Sequence, residues 1–149
     1  MPHFTLQISP QGSLLSALIG VSGARRAALT TAGQTIPNPV PIQALIDTGA
    51  SATCMDLSVL QTLSLTPTGS APINTPTTGG NPVIADQYDV SLLVPPADTN
   101  QIPLFIANLP VICAELLLSQ GFHALIGRDV LARCVFVYNG SIKLFTLAY

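Results

Sequence analysis

The sequence predicts an all-β domain with one or two short helices, and three observations carry that prediction. Apolar residues gather in short runs, several of which alternate with polar residues at the period of a half-buried strand. Most of the 13 prolines and 11 glycines fall between these runs, where they favour turns. No strand–helix–strand rhythm and no glycine-rich phosphate pattern runs through the chain, so doubly wound nucleotide-binding folds recede.

Phe4 to Ile8 alternates as a half-buried strand, and Leu14 to Val21 predicts a second. Ser22 to Pro39 is soft, carries Arg25-Arg26 and ends in Pro37-Asn38-Pro39, the composition of a loop. Val40 to Ile46 is apolar and extended, and runs straight into Asp47-Thr48-Gly49-Ala50. The period then changes: Asp56 suits the cap of a short helix whose face is Leu57, Leu60 and Leu63 or Leu65, stopped by Pro67 and Gly69. Ser70 to Pro82 is poor in large side chains and ends in Gly79-Gly80, as expected of a projecting hairpin. Val83 to Val94 predicts a strand; Ile102 to Ile106 and Leu109 to Leu117 predict two more, with Pro110 at an edge or a strand start. Ala124-Leu125-Ile126 precedes Gly127 and a short helix over Arg128 to Cys134. Asn139-Gly140 between Val135–Tyr138 and Ile142–Leu147 predicts a terminal hairpin.

At 149 residues a single domain, 1–149, is expected, long enough to bury a core without disulfides or a structural metal. Charged residues make up only 8%, against roughly 25% in an ordinary soluble domain. With a net charge of −2 and scattered cations, no stripe tracks phosphates, so nucleic acid is not an expected partner. Hydrophobic residues reach 48%, yet no apolar run approaches the roughly 20 residues of a membrane span. The apolar excess therefore points to surface hidden by self-association. Cys54, Cys113 and Cys134 form no paired motif, and two histidines, His3 and His123, supply a zinc site poorly. No cofactor or metal is expected.

Of seven carboxylates, one stands out. Asp47 ends an apolar strand and is followed by small residues that let backbone approach it. Asp-Thr-Gly after a strand is also an ordinary Asx turn, and the tripeptide alone does not separate the two readings. Serine and cysteine nucleophile schemes lack a nucleophile elbow or a placed histidine.

The segment Ala44-Leu45-Ile46-Asp47-Thr48-Gly49-Ala50-Ser51 resembles the active-site signature of aspartic proteases, of the retroviral or retropepsin-like branch. Ala124-Leu125-Ile126-Gly127-Arg128-Asp129-Val130-Leu131 is similar to that branch's second signature, and Gly79-Gly80 before Gln87-Tyr88-Asp89-Val90 resembles its flap. The resemblance spans 40–147 and implies a retropepsin-like barrel or sandwich with one lobe per chain. Since the chemistry needs two Asp-Thr-Gly loops and this chain has one, it implies a homodimeric aspartic endopeptidase acting on extended peptides.

On that resemblance, Asp47, Thr48 and Gly49 are the catalytic loop, and Ala50, Ser51, Gly79 and Gly80 bind substrate. Gly127, Arg128 and Asp129 support the loop, with Arg128 as a buried ion-pair donor to Asp56, Asp129 or a backbone carbonyl. Ser51 departs from the aspartate usual in viral members and resembles cellular and bacterial relatives. The resemblance further suggests that Ile142–Leu147 joins a dimer sheet; the alternative is an ordinary edge strand. Two other functions stay open: a retropepsin-like dimerisation or peptide-binding domain with little turnover, and a β-sandwich assembly subunit. Without a recognisable targeting segment the expected compartment is the cytoplasm; the alternative is a domain excised from a longer or membrane-attached protein.

Overall fold

The computed structural model describes residues 1–75, 78–115 and 118–149. In chain order the elements are β1 (His3–Gln7), β2 (Leu14–Val21), α1 (Gly23–Thr31), β3 (Val40–Ile46), β4 (Cys54–Met55) and α2 (Leu57–Thr62). They continue with β5 (Gly69–Ile73), β6 (Val83–Val94), β7 (Leu104–Cys113), β8 (Ala124–Ile126), α3 (Arg128–Leu131), β9 (Val135–Asn139) and β10 (Leu144–Ala148). The chain is all-β, as the alternating runs predict; the described residues carry three short α-helices, where one or two were expected, and a 3₁₀ turn at Leu118–Gln120.

One sheet has the order β2-β3-β8-β4-β7-β6-β5. Leu18–Val21 of β2 also pairs with Val90–Leu93 of β6, which closes six strands into a barrel and leaves β5 as the outer arm of a hairpin with β6. Inside lie the alternate residues Leu15, Ala17 and Ile19 of β2, packed with Ile42, Met55, Leu60, Val90, Leu92, Val111 and Ile126. These apolar side chains, removed from water, hold the two signature segments against each other.

The two expected segments around 102–117 are one strand, β7, as far as they are described; 116–117 lie outside the described residues. A bulge reconciles the break: Ala107 and Asn108 of β7 stand opposite the single Ser91 of β6. Pro110 is exposed on β7, beyond the short pairing of β7 with β4 at Ile112 and Cys113, so no ladder bond is lost on that side.

The stretch Ser22–Pro39 is not all loop. Ser22 caps α1 by accepting the Arg25 N–H on its Oγ at 3.2 Å, and Asn108 Oδ1 accepts from the Ala24 N–H at 3.1 Å. Ala24, Ala27 and Ala28 favour the helix, which buries only Leu29 and so shows little apolar periodicity.

A second sheet has the order β1-β10-β9. Its inner face carries Phe4, Phe136 and Phe145, with Phe4 edge-on to Phe145 at 6.4 Å and Phe136 tilted to it at 6.0 Å. The terminal hairpin forms around Asn139-Gly140, with Asn139 Oδ1 accepting the Ile142 N–H at 3.4 Å. β10 is the central strand, paired on both sides within its own chain, so Ile142–Leu147 is neither an interleaving strand nor an edge. The free edges are β1 and β9. Among the described residues no helix is long and apolar enough to cross a membrane.

Candidate active site

The site begins with two buried strands that stop together. β3 and β8 run parallel, Ala44–Ile46 against Ala124–Ile126, and the Asp47 N–H continues the ladder to the Ile126 carbonyl at 3.0 Å. Beyond this bond the chain turns: the Ala50 N–H reaches the Asp47 carbonyl at 3.3 Å, and the Gly49 N–H donates to Asp47 Oδ1 at 2.8 Å. A Cβ on residue 49 would sit 3.1 Å from that carboxylate oxygen, so glycine keeps the approach open. Asp47 is half-buried, while Thr48 and Gly49 are exposed. The Asx-turn geometry and the presentation of a carboxylate are thus the same structure.

The second signature braces the first. The Arg128 N–H donates to the Ala50 carbonyl at 3.0 Å, and its guanidinium Nη1 donates to the Thr48 carbonyl at 3.1 Å. Arg128 is exposed in the single chain, so it acts through a backbone carbonyl rather than as a buried ion-pair donor. The two candidate acidic partners are engaged elsewhere. Asp129 accepts from the N–H and hydroxyl of Thr53, at 2.9 and 2.8 Å, and from the Val130 N–H at 2.9 Å. Asp56 caps α2 through the N–H and hydroxyl of Ser58, at 2.9 and 2.6 Å, and accepts from the Leu118 N–H at 3.2 Å. Burial pushes the Asp56 carboxyl up, but these bonds and the nearby His123 outweigh it and hold the carboxyl below its ordinary range.

Gly127 is required by space. A Cβ there would lie 2.6 Å from the carbonyl carbon of Ala52 and 2.7 Å from its oxygen. Its N–H donates to the buried Thr53 hydroxyl at 3.2 Å.

A cleft of about 660 Å³ opens beside the loop, lined by Asp47, Gly49, Ala50 and Ser51 on one side and by Ala71–Thr75 of the β5 arm on the other. Cys54, Gln87, Ile112 and Leu125 close its floor and flank. Among the described residues Asp47 is the only carboxylate lining it. Burial, then the charges of Asp129 and Asp47 and the neighbouring Cys113, push the Cys54 thiol up, which disfavours the thiolate that a nucleophile needs. His123 is occupied structurally, its Nδ1 taking the Gln43 N–H at 3.1 Å. Among the described residues no three of His, Cys, Asp and Glu gather as a metal site.

The structure therefore brings together Asp47, Gly49, Ala50 and Ser51 at one cleft, with Thr48 turned to a neighbouring one and Gly127, Arg128 and Asp129 behind them. Gly79 and Gly80 lie past the end of β5 with φ of +58° and +84°, and they do not line the cleft; Ala71–Thr75 take that place. Part of the expected hairpin, 76–77, lies outside the described residues. Sequence reasoning missed Thr53, and placed Gln87 only in the strand after the flap rather than at the cleft. Thr53 had a signal of sorts, a hydroxyl residue opening the strand after a run of tiny residues; Gln87 had its place at the head of the segment that resembles the strand after the flap.

A family model described as aspartyl protease matches residues 27–130, well over half of the chain. The fold is similar to a retropepsin-like aspartic protease from Rickettsia conorii, with a TM-score of 0.61 over 99% of this chain and 90% of that one, at 18% identity. At that identity the likeness is one of fold. Among curated proteins, none matches this sequence.

Proposed function

This chain belongs to the aspartyl protease family and has the retropepsin-like fold, and from that premise we propose that it is a homodimeric aspartic endopeptidase. One observation carries the reading: Asp47, its carboxylate oriented by the Gly49 N–H, is the one charged group among the described residues that line the cleft. Each copy supplies one such carboxylate to a site on the two-fold axis.

Two carboxylates a few ångströms apart do not both stay ionised, because like-charge repulsion raises one pKa and the pair shares a proton. The ionised Asp47 takes a proton from a water between them while the protonated one donates to the scissile carbonyl oxygen. The water oxygen bonds to the carbonyl carbon, and the resulting tetrahedral diol collapses as the leaving nitrogen is protonated. Arg128 holds the Thr48 carbonyl, which fixes the loop that carries the acid. An extended peptide lies between Ala50–Ser51 and the Ala71–Thr75 arm, where main-chain bonding supplies affinity and the small apolar lining selects uncharged side chains.

The test is a peptide library incubated with the protein and its Asp47→Asn variant across about pH 3 to 7, the span in which a shared proton is expected. Sequence-selective cleavage that vanishes in a folded variant supports the reading. A folded, dimeric wild type that binds peptides and cleaves none overturns it in favour of a binding domain.

A further inference from the structure

The wall of the cleft beside Asp47 changes chemistry along its length. Strand pairing sets Leu125 of β8 opposite Cys54 of β4, Cys54 opposite Ile112 of β7, and Ile112 opposite Gln87 of β6. These cross-strand neighbours make one row over four adjacent strands, and all of them line the cleft. Strand alternation turns the residue beside each one inward: Met55, Val111, Tyr88 and Ala124 belong to the core. At its near end Leu125 also pairs with Leu45, two residues before Asp47. The row therefore starts apolar beside the carboxylate loop and ends on the side-chain amide of Gln87.

That amide is held in place and left unpaired. The Gln87 carbonyl accepts the Thr68 N–H at 2.8 Å, and Gln87 pairs with Gly69 of β5. Gly69 carries no side chain to cover its neighbour; a Cβ there would lie 4.0 Å from Gln87 Nε2. Gln87 is half-buried, and among the described residues its side chain makes no hydrogen bond.

The geometry points to Gln87 as a specificity-determining residue, which selects one substrate side chain that is uncharged and both donates and accepts hydrogen bonds. The inference rests on the endopeptidase reading, which makes the cleft a peptide groove. A peptide that covers Gln87 strips water from its amide, and only a side chain that bonds to it restores the loss. The amide donates through nitrogen and accepts through oxygen, so asparagine, glutamine, serine or threonine satisfies it and an aliphatic side chain does not. A charged side chain meets no counter-charge there, because Asp47 is the one charged group among the described residues that line the cleft. From Leu125 to Gln87 the row takes three strand steps, about 14 Å on a flat sheet, while same-face residues of an extended peptide recur every ~7 Å. The barrel's curvature shortens that span, so the selected residue lies about two to four positions from the one seated on Leu125.

The test takes a peptide that the wild type cleaves and replaces each position in turn by glutamine, leucine and lysine. At one position remote from the cleaved bond the wild type should favour glutamine over leucine by roughly tenfold in kcat/KM, with KM carrying most of the difference. Gln87→Leu should remove or invert that preference at the same position and nowhere else. Gln87→Glu, which keeps the shape of the side chain, should turn it toward lysine. Melting temperatures close to wild type establish that both variants are folded. The same peptides titrated onto Asp47→Asn protein and followed by fluorescence anisotropy should rank in the wild-type order, a readout independent of turnover. A profile that neither Gln87 variant alters, or a wild type that prefers leucine or lysine at every remote position, would overturn the role of Gln87 and leave the Asp47 chemistry standing. Cleavage that survives Asp47→Asn would remove the endopeptidase reading itself, and this inference with it.

Discussion

Thr53 clasps Asp129 with two hydrogen bonds, its N–H to Oδ2 at 2.9 Å and its hydroxyl to Oδ1 at 2.8 Å. The same hydroxyl accepts the Gly127 N–H at 3.2 Å, so one buried side chain joins β4 to the turn between β8 and α3. Since that turn also holds Ala50 and Thr48 through Arg128, the position of the carboxylate loop depends on a residue outside either signature.

Thr53→Val keeps the shape and deletes the hydroxyl, leaving the Gly127 N–H without its acceptor and Asp129 Oδ1 with the Val130 N–H alone. Such losses cost about 1–3 kcal/mol, read as a lower urea midpoint with an unchanged slope. Thr53→Ser should recover most of the loss. Equal stability of the valine variant and wild type would contradict the clasp.

Gly127→Ala tests packing rather than hydrogen bonding. The added methyl meets backbone atoms of Ala52 at 2.6 and 2.7 Å, and backbone cannot rotate away as a side chain can. Overpacking of this kind costs about 1–3 kcal/mol and shifts the two signatures apart. Thermal unfolding should show the loss, and cleavage should fall further than stability alone explains.

Asp56 sets part of the acid limit of the fold. Its carboxyl is held below its ordinary value of 3.8, so near that pH the folded chain binds fewer protons than the unfolded one. The stabilisation is therefore fully present above pH 3.8 and is lost as pH falls through the lower, folded value. Asp56→Ala should cost about 0.5–2 kcal/mol at neutral pH, as cap removal does, and the gap to wild type should close in acid. A gap that stays constant down through that range would show that Asp56 is not the ionised cap described.

Much of this is legible in the sequence alone. The barrel strands announce themselves because one face is buried and the other wet, as in β2, where Leu15, Ala17 and Ile19 alternate inward. Asp47, Gly127 and Arg128 were legible because carboxylate presentation and close packing need particular residue types at particular places. What failed was tertiary. α1 buries only Leu29 and owes its form to a serine cap and alanines, so no apolar stripe marks it. The central place of β10 depends on pairing with β1, nearly the whole chain away, which no local pattern encodes. The cleft lining includes Ala71–Thr75 and not Gly79-Gly80, and which part of the β5–β6 arm comes beside Asp47 depends on long-range placement that its composition does not encode.

The central claim is that one active site needs two Asp47 residues from two chains. The direct measurement titrates Asp47→Asn protein into a fixed amount of wild type, with time for subunits to exchange, and follows peptide cleavage. Mixed dimers carry a single carboxylate, so an equal amount of the variant should lower activity to about half, and a large excess should abolish it. Activity that stays constant in excess variant, under conditions where subunits are seen to exchange, would contradict the account.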